Sequence, residues 1–428
     1  MNWAETTLGQ VADINPRSRD WTTLAPETPV SFVPMSAISQ RTASITEMVV
    51  RPLADVRKGF TPFRDNDVLF AKITPCMENG KAALATNLQN GIGFGSTEFH
   101  VLRARGGNLP QFIYYFVRQS EFRMAAKQRF RGAAGQQRVP EDFLTSYAFP
   151  NVAPTEQRRI VEILEQTDAL RQKRAEADAL ADRILPALFH KLFGDPATNP
   201  KGWPRVRLGT IIADTRNGLY KHADFYGRGT QILKMFNILE GRLNLSRVDR
   251  VELDQQELAA YRLEAGDILV NRVNTPELVG KCAVISAELG EAVFESKNIR
   301  LRLNTNVAEP TYVAHFLSTS FGHATLCQGL KHAIGMATIN NSDVRNCLLP
   351  LPPIKNQLEW AKHVASVRAT TSKTEAASTN LEHLFRALLH RAYTGELTAK
   401  WREAHLKELL AEMEQQARLL RSSPNGRN

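Results

Sequence analysis

One feature constrains the fold of this chain more than any other: the sequence is written twice, 200 residues apart. Ala187, Leu188 and His190 in LPALFHKLFGD (185–195) recur as Ala387, Leu388 and His390 in LFRALLHRAYTGEL (384–397). The same offset pairs Trp3, Leu8 and Gly9 with Trp203, Leu208 and Gly209, and Asp67 and Leu69 with Asp267 and Leu269. It also pairs Gly80, Lys81 and Ala83 with Gly280, Lys281 and Ala283, and Gln157 with Gln357. Solenoid units run about 20 to 50 residues, so a period this long is a duplicated domain.

Each copy holds a mixed segment followed by a helical one. DVLFAKI and GDILVNRV are short apolar alternations bounded by turn residues, which predict strands. NLPQFIYYFVRQSEFRMAAKQ and EPTYVAHFLSTSFGHATLC predict helices opened by proline near the first turn. The class is α+β, and the expected bounds are mixed segments over 1–155 and 196–353, helical segments over 156–195 and 354–395, and an amphipathic tail over 396–428.

The helical segments carry coiled-coil spacing: Ile163, Thr167, Leu170, Arg174, Ala177, Ala181, Ile184 and Leu188 in the first, and His363, Val367, Thr370, Thr374, Ala377, Leu381, Leu384 and Leu388 in the second. Pro186 predicts a kink or restart. Two arrangements satisfy the pattern. Either each helix packs on its own domain, or the two pair as an antiparallel coiled coil. In the second case the first domain sits at the start of one helix and the end of the other, and the halves acquire a pseudo-two-fold axis like that of duplex DNA.

Composition narrows the class. No apolar run approaches a membrane span, and MNWAETTLGQ lacks the basic start and apolar centre of a signal peptide, so a cytoplasmic location without membrane attachment is expected. Cys76, Cys282, Cys327 and Cys347 have neither disulfide-framework nor zinc spacing, so reduced thiols and no metal are expected. Net charge is +10, which favours an anionic partner. Lys plus Arg against Asp plus Glu count 17 and 13 in 1–155, 7 and 8 in 156–195, 18 and 15 in 196–353, and 12 and 8 in the remainder. The mixed segments and the tail, not the central helix, are therefore the surfaces for an anion.

The domain, helix, domain, helix order, WPRVRLGTI and NGLYKHADFYGRGTQILKMFNI opening the second copy, the junctions AFPNVAPTEQRRIVEIL and LPLPPIKNQLEWAKHV, and RAYTGELTAKWREAHL near the end together resemble the specificity subunits of type I restriction-modification systems. The resemblance covers almost the whole chain. It implies two target recognition domains, each reading half of a bipartite site in double-stranded DNA, with the helices as spacer. It also implies docking to methyltransferase subunits, two in number, and through them to restriction/translocase subunits. Catalysis belongs to those partners, with no cofactor or catalytic residue here. The second junction departs from the pattern, with KNQ where the first has Glu156-Gln157, which is expected to alter the helix cap.

The alternative is a stand-alone DNA-modifying enzyme, a methyltransferase or nuclease with duplicated recognition domains. The Asn/Asp-Pro-Pro-aromatic tetrapeptide that holds a flipped base is absent, and no Walker loop occurs. GIGFG (91–95) precedes a strand-like STEFHVLR rather than a helix, which favours a turn over a nucleotide cradle. Asp65, Asp67 and Lys72 come nearest to a nuclease cluster, but Arg272 replaces the lysine in the second copy. His190 and His390 have no neighbouring ligands.

Candidate DNA contacts follow from the need for cations at phosphates and paired donors and acceptors at base edges. In the first copy RMAAKQRFRGAAGQQRV supplies Arg123, Lys127, Arg129, Arg131, Gln136, Gln137 and Arg138. The corresponding loop in the second supplies Lys331, His332, Thr338, Asn340 and Asn341. AKITPCMENGK adds Lys72, Thr74 and Lys81, and NRVNTPELVGK adds Arg272, Asn274, Thr275 and Lys281. By the resemblance, Tyr220, Lys221, Tyr226 and Lys234 form a further surface. The tail spaces Leu406, Leu409, Leu410, Met413, Ala417 and Leu420 as an amphipathic helix, which covers either its own domain or a partner, the partner being slightly favoured.

Overall fold

The computed structural model of the chain describes residues 3–17, 20–133, 135–239, 241–333 and 335–422. Its principal helices are α1 (Pro110–Val117), α2 (Pro154–Ala181), α3 (Ile184–Phe193), α4 (Pro310–Ser318), α5 (Ile354–Tyr393) and α6 (Leu406–Ser422). Pro110, Pro154 and Pro310 open helices, where the missing N–H has no intrahelical acceptor to lose. The chain divides into two units, Met1–Asp178 with Glu375–Asn428, and Ala179–Thr374. Each long helical segment thus gives its first part to one unit and its last part to the other.

In the first unit one antiparallel sheet runs Ala12–Ile14, Phe99–Ala104, Val68–Ala71, Ala82–Leu84. Its counterpart in the second unit runs Ile212–Asn217, Asn298–Leu303, Ile268–Asn271, Cys282–Val284. All four residues of Val68–Ala71 are buried, as are those of Ile268–Asn271, because both faces of the sheet are covered. Val68 and Phe70 enter the core that contains α1, while Leu69 enters a second core with Val33, Phe63 and Phe99. Ile268 and Val270 are divided from Leu269 in the same way. The apolar alternation of these strands is thus an alternation between two cores. A second sheet in each unit contains a parallel pair, Pro29–Val33 with Ile92–Gly95 and Tyr226–Leu233 with Ala292–Phe294.

The first helical segment is interrupted. α2 ends at Ala181 and α3 begins at Ile184, so Pro186 falls in a first turn, where its lack of an N–H is harmless. α5 is continuous for 40 residues. In the second unit Phe189 and Phe193 pack on Tyr312 at 5.8 and 4.8 Å between ring centres, and Phe189 on Trp360 at 5.2 Å. In the first unit Tyr393 packs on Phe112 and Phe116 at 4.8 and 5.3 Å. The echoed helix ends are therefore hydrophobic anchors with equivalent seats on α4 and α1.

The expected apolar seam is largely not a buried one: Leu170, Ile184 and Leu384 are 57, 47 and 51% exposed. In the first unit the contact between α2 and α5 is polar and aromatic. Arg171 pairs with Glu382 at 2.8 Å and lies 4.2 Å from the centre of the Phe385 ring.

The two junctions repeat one device. Gln157 is fully buried, accepts from Leu109 N at 2.8 Å and donates to Asn108 Oδ1 and Val152 O at 2.8 Å. Gln357 accepts from Glu309 N at 2.9 Å and donates to Pro352 O at 2.7 Å. Each glutamine fastens the mixed segment to its helix, and removing it would orphan buried backbone groups.

The neighbouring residue explains where the junctions differ. Glu156 accepts from Arg402 Nε at 2.8 Å, Thr398 Oγ1 at 2.6 Å and Trp3 Nε1 at 3.1 Å, while Glu412 accepts from the Thr155 backbone at 3.0 Å. Of the two roles open to the tail, it packs on its own unit. No such tail follows the first copy, so Asn356 has no Arg402 to meet. The tail helix is also broken at His405 into Ala399–Ala404 and α6. The side chain of Leu420 and the expected tail beyond residue 422 lie outside the described residues. No helix among the described residues is long and apolar enough to cross a membrane.

Candidate nucleic-acid interface

Two loops form the candidate surface in each unit, and the same backbone bonds hold them together. In the first, Thr74 N donates to Gln137 O and Val139 N to Lys72 O, both at 2.9 Å. Arg131 and Arg138 exchange backbone bonds at 3.0 and 2.9 Å, which brings the two ends of the loop together. Gly132 and Gly135 take φ of +118° and +81°, which turns that loop without side-chain strain. In the second unit Ile339 N donates to Arg272 O at 3.0 Å, the counterpart of the Val139 bond. Val273–Asn274, Met336–Thr338 and Lys331–Ala333 there complete a small three-stranded sheet.

The candidate side chains fall into three groups. Arg129 and Gln136 are exposed on the first loop pair, and Thr275 on the second. A second group reaches water but is ion-paired: Lys127 with Glu78 at 2.5 Å, Arg131 with Asp142 at 2.7 Å and Arg138 with Glu98 at 2.8 Å. The Lys127 bond holds the Glu78 carboxyl below its usual range, and the Arg138 bond does the same to Glu98. Such pairs near water are exchangeable for phosphate contacts at small cost.

The third group serves the fold. Lys81 Nζ donates to Met35 O at 2.9 Å, Arg123 Nη1 donates to Glu78 O at 3.0 Å, and Thr74 donates to Glu78. Asn274 is buried and donates to Asn271 at 2.9 Å. Asn340 caps the helix Asn341–Asn346 by accepting from Ser342 N at 2.7 Å, and Asn341 accepts from Thr215 at 3.1 Å. Lys72, Gln137, Arg272 and Thr338 are half-buried in the frame, as is Lys281, whose ammonium burial holds below its usual range. The side chains of Lys331 and His332 lie outside the described residues.

On the remaining surface Tyr220 is 82% exposed. Lys221 pairs with Glu257 at 2.6 Å, and Lys234 pairs with Asp249 at 2.7 Å while lying 4.3 Å from the centre of the Tyr226 ring.

The features that suggested enzyme chemistry have structural explanations. Asp67 is buried and accepts from Arg103 at 2.8 and 2.7 Å, and Asp267 accepts from Arg302 at 2.8 and 2.9 Å. Gly93 and Gly95 lie in a strand, where a Cβ would come within 2.2 Å of the Phe63 ring and 2.5 Å of Val33 O. Among the described residues no three His, Cys, Asp or Glu side chains gather as a metal site.

Residues 1–178 match the family model described as the type I restriction modification DNA specificity domain. Across 83% of this chain and 75% of the relative, the sequence is 35% identical to the EcoAI specificity subunit of Escherichia coli. The chain belongs to the type I restriction enzyme specificity subunits. A shorter match, 38% identical over 160 residues, covers 37% of this chain and 26% of the EcoEI specificity subunit of Escherichia coli.

Two solved structures share the fold of this specificity subunit. One is a chain from work on complex assembly and conformational transition of the type I system, with TM-score 0.54, 21% identity and coverage of 92% of this chain and 98% of that one. The other is the S subunit from M. genitalium, with TM-score 0.53, 13% identity and coverage of 92% and 96%. The chain is thus a DNA-specificity subunit and not the catalyst of its complex.

Sequence reasoning missed residues of this specificity subunit that the structure brings beside the loops. Lys297 is exposed, and its carbonyl holds Arg272 N at 2.8 Å. Arg216 lies 5.5 Å from the centre of the Tyr261 ring, on the strand next to Asn341. Both stand outside the cationic runs, and only their register on the sheet could have pointed to them.

Proposed function

We propose that residues 1–155 and 196–353 are separate target recognition domains, each reading one half of a bipartite sequence in double-stranded DNA. The observation that carries this is the paired loops. One backbone frame occurs twice with different side chains: where the first copy has Gln136 and Arg138, the second has Met336 and Thr338. Two readers of different half-sites need that combination of constant frame and variable surface. We assign base-edge contacts first to Gln136 and Tyr220, and phosphate contacts to Arg129, Lys127 and Arg131.

The helical segments 156–195 and 354–395 act as a spacer, paired antiparallel so that the domains are related by a pseudo-two-fold axis. The Arg171–Glu382 pair and the division of each long helical segment between units support this arrangement. The complex includes methyltransferase subunits, two in number, and through them restriction/translocase subunits. Exchanging residues 1–150 for those of a relative and mapping the modified sites tests the reading. One half-site should change and the other persist; a change in both would show that readout is shared.

A further inference from the structure

A cavity of about 500 Å³ in the first unit lies between the recognition domain and the last turns of α5, with Gly80, Arg118 and Arg123 on one side and Glu382, Arg386 and His390 on the other. Most of its charges are already matched. Arg118 pairs with Asp168 at 2.5 Å, Arg171 with Asp168 at 2.5 Å and Glu382 at 2.8 Å, and Arg41 with Asp178 at 2.8 Å. Glu121 faces His390 at 3.6 Å.

Arg123 and Arg386 stand apart from this pattern. Neither has a carboxylate partner among the described residues. Arg123 spends one Nη1 hydrogen on Glu78 O at 3.0 Å, and its Nε is shielded from water without an acceptor. Its guanidinium lies on Gly80, where φ is +75° and a Cβ would stand 2.7 Å from Nη1, so only glycine leaves room for it. Burial and then the charges of Arg386 and Arg118 hold Arg123 below its usual range, against a smaller attraction from Glu121. Arginine does not release its proton at working pH, and the two like charges outweigh the attraction of Glu121, so an anion between them would relieve the repulsion.

We propose that this cavity is a phosphate site in which Arg123 and Arg386 together hold one phosphate group, supplied either by a free polyphosphate or by the DNA backbone. Two guanidiniums without a carboxylate suit a dianion, and each offers the planar pair of donors that matches phosphate oxygens. The site belongs to the first copy alone. At the corresponding positions of the second, His323 donates its ring N–H to Val279 O at 2.7 Å, and Pro186 and Ser318 stand where the first copy has Arg386 and Arg118. A phosphate bound there ties Gly80, in the loop that carries Thr74, to the spacer helix.

The test uses the full chain and Arg386→Gln, a substitution at an exposed residue. Thermal unfolding is followed against inorganic pyrophosphate, with sodium chloride at matched ionic strength as control. Stabilisation of the wild type, with apparent affinity falling roughly tenfold to a hundredfold in the variant, assigns the site to a free polyphosphate. Indifference to pyrophosphate, with the variant's slope of log affinity for DNA against log salt reduced by about 1, assigns it to the DNA backbone. If the variant matches the wild type in both measurements, the proposal is overturned. The pyrophosphate measurement is independent of the DNA reading above, whose own failure would appear as wild-type protein that binds no DNA.

Discussion

In the first unit the floor beneath the paired loops is an ion pair, Arg138 donating to Glu98 at 2.9 and 2.8 Å. In the second unit the same positions hold Thr338 and Asn298, and the floor is a buried chain of amides. Asn271 donates to Asn298 at 3.2 Å, and Asn274 donates to Asn271 at 2.9 Å. The backbone bonds above these floors are equivalent, from Val139 N to Lys72 O in one and from Ile339 N to Arg272 O in the other. Duplication has kept what positions the loops and released what fills them. Charge is used where water reaches, since Arg138 and Glu98 are 42 and 24% exposed, and neutral amides where it does not.

The sharpest way to break this comparison is to attack the part held in common. Asp67 and Asp267 each also accept a backbone N–H, from Arg64 and Glu264 at 2.8 Å, in addition to a two-pronged arginine. Asp67→Ala and Asp267→Ala should each cost about 3–5 kcal/mol, because each leaves a backbone donor without its partner and takes the two-pronged acceptor from an arginine, Arg302 keeping Glu264 at 3.2 Å. Urea unfolding of the full chain, with hydrogen exchange resolved by unit, measures both. Unequal losses would mean that the two frames are not equivalent.

A smaller difference lies on α1 and α4. Tyr115 on α1 corresponds to His315 on α4, which lies 4.5 Å from Phe189 and 4.7 Å from Trp360 between ring centres. Burial, and then the charge of Arg368, lowers its pKa from 6.5 to about 4. The folded state keeps the ring neutral while the unfolded chain takes up a proton as pH falls below 6.5. Stability from this residue is therefore complete above pH 6.5 and is lost as pH falls to about 4, by up to roughly 3 kcal/mol. Hydrogen exchange over 310–318 should rise through that window, and His315→Phe should suppress the rise. An unchanged acid response in the variant would place the sensitivity elsewhere, for example at His100 of the first unit, whose pKa burial also lowers.

The duplication, the mixed class and the junction glutamines were legible in spacing, because identical geometry demands identical residues at 157 and 357. The restart near Pro186 follows from the missing N–H. The inward turn of Asn274 and Asn340 was not legible, since an asparagine satisfies a buried neighbour or a base edge with the same atoms and only the fold decides which it meets. The helix contacts were hidden for a related reason. Leu170 and Leu384 have coiled-coil spacing, but the aromatic ends of α3 and α5 and the Arg171–Glu382 pair supply contacts within each unit. The tail's place could not be read because Glu156 and Arg402 are 246 residues apart.

Within the loop floors, Asn298→Ala should cost about 1–3 kcal/mol, since it takes one of two acceptors from the buried Asn271 amide, which keeps Lys297 O at 3.0 Å, and the loss should be insensitive to salt. Thermal unfolding at low and high sodium chloride checks this. A strong salt dependence would show that the second floor is electrostatic after all.

The corresponding change in the first unit is Glu98→Gln, and its effect on stability should be below about 1 kcal/mol because the pair lies near water and is screened. The Arg138 hydrogen bond holds the Glu98 carboxyl below its usual 4.5. The pair's contribution is therefore present above pH 4.5 and disappears as pH falls through the lowered value, so mutant and wild type should converge in acid. DNA binding should move the other way. Glu98 and a phosphate compete for the same guanidinium, and removing the carboxylate leaves Arg138 free to meet DNA. Affinity should rise at low salt, and the slope of log affinity against log salt should steepen by about 1 if Arg138 gains one phosphate. If affinity and slope stay as in the wild type, Arg138 is a brace for the loop and not a contact, and the proposed readout by the first copy falls to Gln136 and its neighbours.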